Sequence, residues 1–147
     1  MSKHSSKMFA NDYLVLEGEG SFGGPITVKT GNTKTRKETI EKIRSDLREW
    51  SEKFPYLKNE DTKIDLAIVV YRYPSYMRRQ DVDNVAKLVL DALKGCLFTD
   101  DSQIVRLLVY KLDAALIEGY DTESLVISFR KHNPKKEMVL VNKKVLS

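Results

Sequence analysis

The stretch RRQDVDNVAKLVLDALKGCLFTDDSQ, residues 78–103, organises the rest of the chain. It begins with two aspartates two positions apart, Asp81 and Asp83. Apolar residues at helical spacing follow them and predict an amphipathic helix that starts at this pair. Lys87 lies one turn after Asp83 and shares the polar face of that helix. A glycine then predicts the helix stop, and a second aspartate pair closes the stretch.

The helix from Asp83 to Gly95 and the chain from Gly95 to Asp101 can span similar distances. From Asp83 to Gly95 a helix climbs roughly 18 Å, and an extended chain from Gly95 to Asp101 covers roughly 20 Å. A reversal at Gly95 therefore brings Asp101 beside Asp81 and Asp83, and we expect three carboxylates to converge. Carboxylates that close repel one another unless a divalent cation joins them, and hard oxygen ligands suit Mg²⁺ or Mn²⁺. The alternative is that the first two only cap the helix and stabilise its dipole.

The same stretch, written R-R-x-D-V-D-N-x-x-K-x-x-x-D-A-L-x-G…D-D-S-Q, resembles the RusA family of Holliday junction resolvases of phages and prophages, most densely over residues 72–111. The resemblance implies a Mg²⁺-dependent endodeoxyribonuclease that makes paired cuts in four-way DNA junctions in recombination and repair. It implies metal-binding carboxylates at Asp81, Asp83 and Asp101, and a lysine that assists cleavage at Lys87. It also implies a homodimer, because paired cuts in a two-fold substrate need two active sites.

Two other functions fit the same residues: a module that binds branched DNA without cutting it, and a metal nuclease that prefers flaps or other branched DNA. Asp100 is the alternative ligand to Asp101, since neighbours on an extended segment point to opposite sides. Asp91 lies roughly 12 Å further along the helix than Asp83, and we interpret it as structural. Without the resemblance, Lys87 would be interpreted as the partner of Asp83 and Asp91 in helix salt bridges.

Length and composition predict a single domain, since 147 residues with 41% hydrophobic residues are enough to build a core. No apolar run approaches the length of a membrane span, and the N-terminus lacks the apolar core of a signal peptide. One cysteine excludes an internal disulfide, and with two histidines it cannot supply the usual zinc ligands. We therefore expect a cytoplasmic protein with no membrane contact and no small-molecule cofactor.

The hydrophobic patterns predict the order β, α, β, α, β, β and an α+β fold. This is a single domain with a mixed β-sheet and two main helices packed on it. Residues 1–10 are expected to be a flexible N-terminus, 11–130 the domain and 131–147 a basic C-terminal tail. The glycine-rich run 18–25 is predicted to break the chain. The clearest predicted elements are strands over residues 13–16, 64–73, 104–112 and 124–129 and helices over residues 35–54 and 81–94.

Local patterns add detail to individual elements. Apolar residues on both faces of 104–112 predict a central strand that is covered on both sides. Thr35 and Glu38 have the spacing of a capping box at the start of the first helix. Trp50 lies on the apolar stripe of that helix, and we expect it in the core rather than as a platform for stacking bases. Residues 138–141 fit either a further strand or a loose tail.

Basic residues cluster in three places that fit contact with a DNA backbone. Arg78 and Arg79 come just before Asp81, where they either hold phosphates or neutralise the acidic pair. The other two clusters are the polar run before the first helix and the C-terminal tail, and an ordinary solvated surface is the alternative for both. The candidate DNA-binding residues in these two clusters are Lys34, Arg36, Lys37, Lys131, Lys135 and Lys136.

Overall fold

The computed structural model describes residues 12–116 and 122–145, so the predicted flexible segment 1–10 lies outside the described residues. The fold is α+β, as predicted. Within those ranges, no helix combines the length and apolar character that crossing a membrane requires. The strands are β1 Asp12–Leu16, β2 Gly20–Gly24, β3 Ile64–Arg72, β4 Ile104–Asp113, β5 Ser124–Lys131 and β6 Leu140–Lys144. The helices are α1 Thr33–Ser51, the short α2 Pro74–Met77 and α3 Val82–Leu93.

The main sheet is mixed and has the strand order β2-β5-β3-β4. Strands β3 and β4 are parallel, and β5 runs antiparallel to both β2 and β3. Helix α3 forms the crossover between the two parallel strands, which a parallel pair requires. Strands β1 and β6 form a separate antiparallel ribbon. The carboxyl end of β3 therefore leads into the start of α3, and the end of α3 leads into the start of β4.

The centre of the core is β3, in which all nine residues are buried. Successive side chains of a strand point to opposite faces, so one strand supplies two cores. Leu66 and Ile68 pack in the cluster that contains residues of both long helices. Val69 and Tyr71 face the other way and pack against the β1–β6 ribbon. The sheet is thus a middle layer, with helices on one face and the ribbon on the other.

Helix α1 begins two residues earlier than the sequence predicts, and the capping box at Thr35 is wrong. The N-cap is Asn32, whose side-chain oxygen accepts a hydrogen bond from the Thr35 amide at 2.9 Å. Asn satisfies a free helix amide as well as Thr does, and the pattern alone does not choose between two cap residues three positions apart. Trp50 is half-buried and packs in the core, as predicted, against the rings of Phe22, Phe54 and Phe129.

The glycine-rich run does not only break the chain, because Gly20–Gly24 forms β2 and pairs with β5. Glycine is needed here because aromatic rings occupy the space of a side chain. A Cβ on Gly20 would lie 2.5 Å from the Phe129 ring, and one on Gly23 would lie 2.8 Å from the Tyr13 ring. Glycines predict a break in the chain because the sequence pattern does not show a close approach of this kind.

The prediction of a central, doubly covered strand at 104–112 is also wrong. β4 is the edge strand of the four-stranded sheet and, among the described strands, pairs only with β3. Its apolar residues are accordingly half-exposed, with Val105 at 45%, Leu107 at 39% and Tyr110 at 40% exposure. An apolar edge of this length is unusual for an isolated chain, since unpaired edges invite pairing with another strand.

The open choice at residues 138–141 is resolved in favour of a strand that starts slightly later, since Leu140–Lys144 forms β6 and pairs with β1. The connection from β5 to β6 is held against the sheet by two arginines. Arg106 donates to the carbonyls of Asn133 and Lys136, and Arg130 donates to those of Lys136 and Glu137. This connection is therefore an ordered part of the domain.

Candidate active site

The first aspartate pair lies where the chain leaves the carboxyl end of β3 and enters α3. Asp81 is the N-cap of α3, and Asp83 lies in its first turn. One face of the helix is buried against the sheet by Val85, Leu88, Val89, Ala92 and Leu93. Burying that stripe leaves Asp81, Asp83 and Lys87 exposed on the outside of the helix.

The carboxylate of Asp81 is not used to cap the helix. Its backbone carbonyl accepts hydrogen bonds from the amides of Asn84 and Val85, but its side chain makes no capping bond. The Asp83 carboxylate accepts one bond, from the neighbouring Asn84 amide at 3.0 Å. Capping therefore explains why an aspartate is tolerated at position 81, but it leaves that exposed charge without a structural role.

Lys87 does not form the helix salt bridges that its spacing permits. It is exposed, and among the described residues no ion pair joins it to Asp83 or Asp91. Asp91 instead pairs with Arg36 of α1. Arg44, also on α1, donates to the carbonyls of Asp91, Ala92 and Lys94, at the end of α3. Asp91 thus joins the two helices, and the Lys87 ammonium is left facing solvent beside the aspartate pair.

The second aspartate pair lies at the other end of the sheet. Asp101 begins a 3₁₀ turn that leads directly into β4, and β4 starts level with the start of β3. Asp81 is near the far end of the strands, because Lys111 of β4 donates to the carbonyl of the preceding residue, Gln80. Seven residues of strand separate Lys111 from Ile104, which corresponds to about 20 Å.

The chain does reverse at Gly95, whose φ of 82° marks a left-handed helix end, but the reversal is short. Leu97 and Phe98 are completely buried beneath the helix end, which stops the chain from running back along α3. Gln103 is also buried, and its amide donates to the carbonyls of Leu57, Asn59 and Thr62. These contacts hold the second pair at the amino ends of β3 and β4.

Asp100 and Asp101 have different surroundings. Asp100 caps the 3₁₀ turn by accepting from the Ser102 amide at 3.1 Å, and it lies 3.5 Å from the ammonium of Lys94. The hydrogen bonds from Ser102, with a further contribution from Lys94, lower the pKa of the Asp100 carboxyl below 3.8. Asp101 is exposed, and no described residue forms an ion pair with it. Of the two, Asp101 is the carboxylate free to bind an external ligand.

The expectation that three carboxylates converge within one chain is therefore wrong. Among the described residues, no three His, Cys, Asp or Glu side chains form a group that could hold a metal ion. The prediction assumed that the chain after Gly95 runs back in an extended form. Such a chain is long enough to reach Asp81, but Leu97 and Phe98 are buried and hold it at the end of α3. One chain offers a two-carboxylate half-site at Asp81 and Asp83 and a separate single carboxylate at Asp101.

The loop before Asp81 is fixed by two residues that no sequence motif marks, Lys111 and Gln80. Lys111 donates to the carbonyls of Met77, at 2.8 Å, and Gln80. Gln80 is buried and donates to the carbonyl of Val28 at 2.6 Å. The sequence signal for this contact is Lys111 itself, which interrupts the otherwise apolar run LLVYKL. A charged residue within such a strand usually has a partner.

A second buried contact anchors the same segment earlier in the chain, at the end of β3. Arg72, at the end of β3, donates to Glu123 at 2.6 Å, and Glu123 also accepts from the Tyr73 amide at 2.8 Å. Both side chains of the ion pair are almost completely buried, at 4% and 6% exposure. Arg72 donates further to the carbonyl of Val28. The segment that carries the aspartates is thus tied to β3, β4 and the chain before α1.

The predicted basic residues divide between the two ends of the sheet. Arg78 and Arg79 are exposed near Asp81, and no ion pair joins either of them to an acid within the described part of the chain. The polar run 31–37, predicted to precede the first helix, lies mostly in the first turns of α1. It reaches the same end of the sheet, since Thr30 accepts from the Gln80 side chain at 3.4 Å. There Lys34 and Lys37 are exposed, and the third cation of the run, Arg36, is bound to Asp91.

The C-terminal cations lie at the opposite end. The backbone amide of His132, the residue after Lys131, donates to the carbonyl of Lys63, just before β3 begins. The Lys131 ammonium lies 4.6 Å from the centre of the Tyr56 ring. Lys135 and Lys136 are exposed in the connection that follows. These cations therefore share an end of the sheet with Asp101 rather than with Asp81.

Exposed carboxylates and a lysine at the start of a helix, flanked by two exposed arginines, are groups suited to a phosphodiester-cleaving enzyme. The sequence profile of the family described as Endodeoxyribonuclease RusA matches residues 22–118, well over half of the chain. The chain belongs to the RusA family of endodeoxyribonucleases, the Holliday junction resolvases that its central stretch resembles. No curated protein matches the chain.

Proposed function

We propose that this protein is a Mg²⁺-dependent endonuclease that resolves four-way DNA junctions by paired cuts, in the cytoplasm, during recombination and repair. The observation that carries the proposal is the exposed, uncapped Asp81 carboxylate, with Asp83 and Lys87 beside it, inside the region that matches the RusA family. If the protein only bound DNA, nothing would favour an unpaired carboxylate beside a polyanion. This argues against the non-cutting alternative.

Each exposed group has a chemical task in this proposal. Asp81 and Asp83 supply hard oxygen ligands for Mg²⁺, with Mn²⁺ as a substitute. A bound divalent ion supplies positive charge against the phosphate and favours ionisation of water. Lys87 places an ammonium where it offsets negative charge on the phosphate or on the leaving oxygen. Arg78 and Arg79, which pair with no acid among the described residues, hold phosphates of the same strand.

Asp101 reaches such a site only from a second chain, and this supports a homodimer. β4 is an apolar edge strand, and its start and end lie next to Asp101 and Asp81, respectively. If two copies of β4 pair antiparallel about a two-fold axis, the start of one strand lies beside the end of the other. Such pairing brings Asp101 of the partner subunit toward Asp81 and Asp83, and it covers Val105 and Leu107. Two equivalent sites result, which suits paired cuts in a two-fold junction.

Mixing two inactive variants tests the nuclease and its dimer together. In a mixed dimer of Asp81→Asn and Asp101→Asn chains, one shared site has both native halves and the other has neither. We expect each variant alone to be inactive and the mixture to nick one strand of a four-way junction in Mg²⁺. A mixture that stays inactive after subunit exchange, confirmed by co-purification of two differently tagged chains, would show that the halves do not combine across subunits.

The substrate class is tested with wild-type protein. We expect Mg²⁺-dependent cleavage of a synthetic four-way junction and little cleavage of a flap or a linear duplex of the same sequence. Equal cleavage of the flap would indicate a nuclease with broader preference for branched DNA. Junction binding without cleavage at any Mg²⁺ or Mn²⁺ concentration would support the binding-module alternative instead.

A further inference from the structure

A cavity opens directly beside the proposed cleavage site, at the carboxyl end of β3. Its volume is about 580 Å³, within the range of roughly 300–1,000 Å³ that small-ligand sites occupy. Gln80, the residue before Asp81, forms part of its wall. The residues that matter for its chemistry are Lys29, Thr30, Tyr73, Tyr76, Arg79 and Gln80.

Two aromatic side chains on the cavity wall are unusually exposed. Tyr73 has 40% and Tyr76 has 43% of its surface exposed, although both are large and partly apolar. Arg72 lies over the Tyr76 ring, with its guanidinium carbon 4.7 Å from the ring centre. Because Arg72 is itself fixed by Glu123 and by the Val28 carbonyl, it restrains the position of that ring. An exposed ring held in place is a ready surface for stacking another flat group.

The cavity wall also carries one polar atom that has no hydrogen-bond partner among the described residues. Gln80 is 6% exposed and donates through its amide nitrogen to the Val28 carbonyl and to the Thr30 hydroxyl. Its side-chain oxygen is buried and accepts no hydrogen bond from any described residue. A buried acceptor without a donor is unfavourable by about 1–3 kcal/mol. A hydrogen-bond donor that enters the cavity beside Gln80 would remove that penalty.

We propose that this cavity receives one unstacked DNA base adjacent to the phosphate that is cut. The assignment rests on the proposed function, because only a branched or opened DNA presents such a base next to Asp81. A base has a flat face to stack on Tyr73 or Tyr76 and amino or imino donors for the Gln80 oxygen. Its own phosphates face the cations Lys29 and Arg79 at the cavity wall. A free phosphate would use the cations and leave the rings and Gln80 without a role.

The proposal is tested by removing the ring and the base separately and together. Junction affinity is measured without metal for wild type and Tyr76→Ala, on an intact four-way junction and on junctions with one abasic nucleotide near the crossover. We expect one abasic position to weaken wild-type binding by about tenfold, a typical loss for one stacked base. The same abasic position should weaken Tyr76→Ala by less than about twofold further, since the ring that the base would contact is already absent.

The controls use the exposed position of the ring and the geometry of the junction. Tyr76→Phe keeps a stacking surface, so we expect it to retain the coupling to the abasic position. An abasic nucleotide in the middle of a junction arm should have the same small effect on every variant. Tyr73→Ala is analysed in the same way, since the base stacks on one of these two rings.

The outcomes separate this proposal from the proposed function. If the protein prefers the junction to duplex but ring and base removal are additive at every position, for both tyrosines, the base site is overturned and the nuclease proposal stands. If wild-type protein binds junction and duplex alike, the base site is overturned, because an intact duplex offers no unstacked base; the nuclease proposal is decided separately, by cleavage of the junction in Mg²⁺.

Discussion

The ammonium of Lys111 donates a hydrogen bond to the backbone carbonyl of Gln80, the residue immediately before Asp81. A second bond reaches the carbonyl of Met77 at 2.8 Å, so one side chain of β4 holds both ends of the short loop between α2 and α3. The strand that bears Lys111 is also the exposed sheet edge. The position of the aspartate pair therefore depends on the same strand that we propose to form the dimer.

We expect Lys111→Met to reduce the turnover number without a matching loss of junction binding. The substitution keeps the length of the side chain but leaves two carbonyls without a donor, which lets the loop before Asp81 shift. A loss of about 1–3 kcal/mol in this contact corresponds to a decrease of roughly 5- to 150-fold in rate. The measurements are kcat in Mg²⁺ and junction affinity without metal.

Lys111→Arg serves as the conservative partner, because a guanidinium also donates to two carbonyls, and we expect it to recover most of the rate. Lys53→Met, at an exposed position of the chain after α1, controls for loss of charge. A normal turnover number in Lys111→Met would contradict the positioning role.

Asp81→Asn, Asp83→Asn and Asp101→Asn should each abolish Mg²⁺-dependent cleavage while leaving junction affinity without metal equal or slightly tighter. Asn keeps the size of Asp but removes the charge that a hard cation needs, and a negative charge near phosphate is lost. We expect the rate to fall by about 100-fold or more. Lys87→Ala should slow cleavage by a similar factor without weakening Mn²⁺ binding, since a charged ammonium is not a ligand.

Asp100→Asn is the matched control, since Asp100 caps the turn and contacts Lys94. We expect it to retain most of the activity with a slightly lower melting temperature. Full activity in Asp101→Asn together with loss in Asp100→Asn would show that the neighbouring carboxylate is the functional one.

Asp65→Asn should destabilise the fold by about 3 kcal/mol, because it leaves two buried or half-buried guanidinium groups without their anion. Asp65 is completely buried and accepts hydrogen bonds from Arg106, at 2.7 and 3.0 Å, and from Arg130, at 3.0 Å. Chemical denaturation measures the change. Asp46→Asn, which breaks the exposed pair with Lys42, is the control and should change stability by less than about 1 kcal/mol.

The stability that Asp65 contributes should disappear in acid. Burial raises the pKa of Asp65, but the hydrogen bonds from Arg106, His132, Arg130 and the Asn133 amide outweigh it and lower the pKa from 3.8 to about 2. A carboxyl whose pKa is lower in the folded state stabilises that state above its unfolded value. The contribution, roughly 2 kcal/mol, should therefore be complete above about pH 4 and be lost as the pH falls toward 2. The difference in unfolding free energy between wild type and Asp65→Asn should shrink over that window.

The paired substitution of Lys135 and Lys136 by Ala should weaken junction binding and reduce its salt dependence. If both ammonium groups contact phosphates, the slope of log affinity against log salt falls by about 2. Substitution is a cleaner test than truncation, because removing residues 131–147 would also delete β6 and half of the ribbon. Lys143→Ala with Lys144→Ala, on β6, removes the same charge elsewhere, and an equal effect of the two pairs would indicate a general charge effect.

The stretch from Arg78 to Gln103 was sufficient by itself to determine the family, the crossover helix and the exposed groups on it. The reason is that these features are local. Helical spacing sets which residues of α3 are buried, and Asp81, Asp83 and Lys87 are among the residues that remain exposed. The strand at 64–72 could be predicted for the same reason, since its apolar run and terminal proline lie within a few residues of one another.

The tertiary structure alone decided which distant residues meet. The sequence permitted Asp101 to return to Asp81, but burial of Leu97 and Phe98 keeps it at the opposite end of the sheet. Strand order made β4 an edge, although its composition suits a central strand equally well. Lys111 of β4 and the carbonyl of Val28, both remote in sequence from Asp81, hold Gln80 and the loop before α3 in place. Contacts of this kind depend on packing energies summed over the whole core, and no local pattern encodes them.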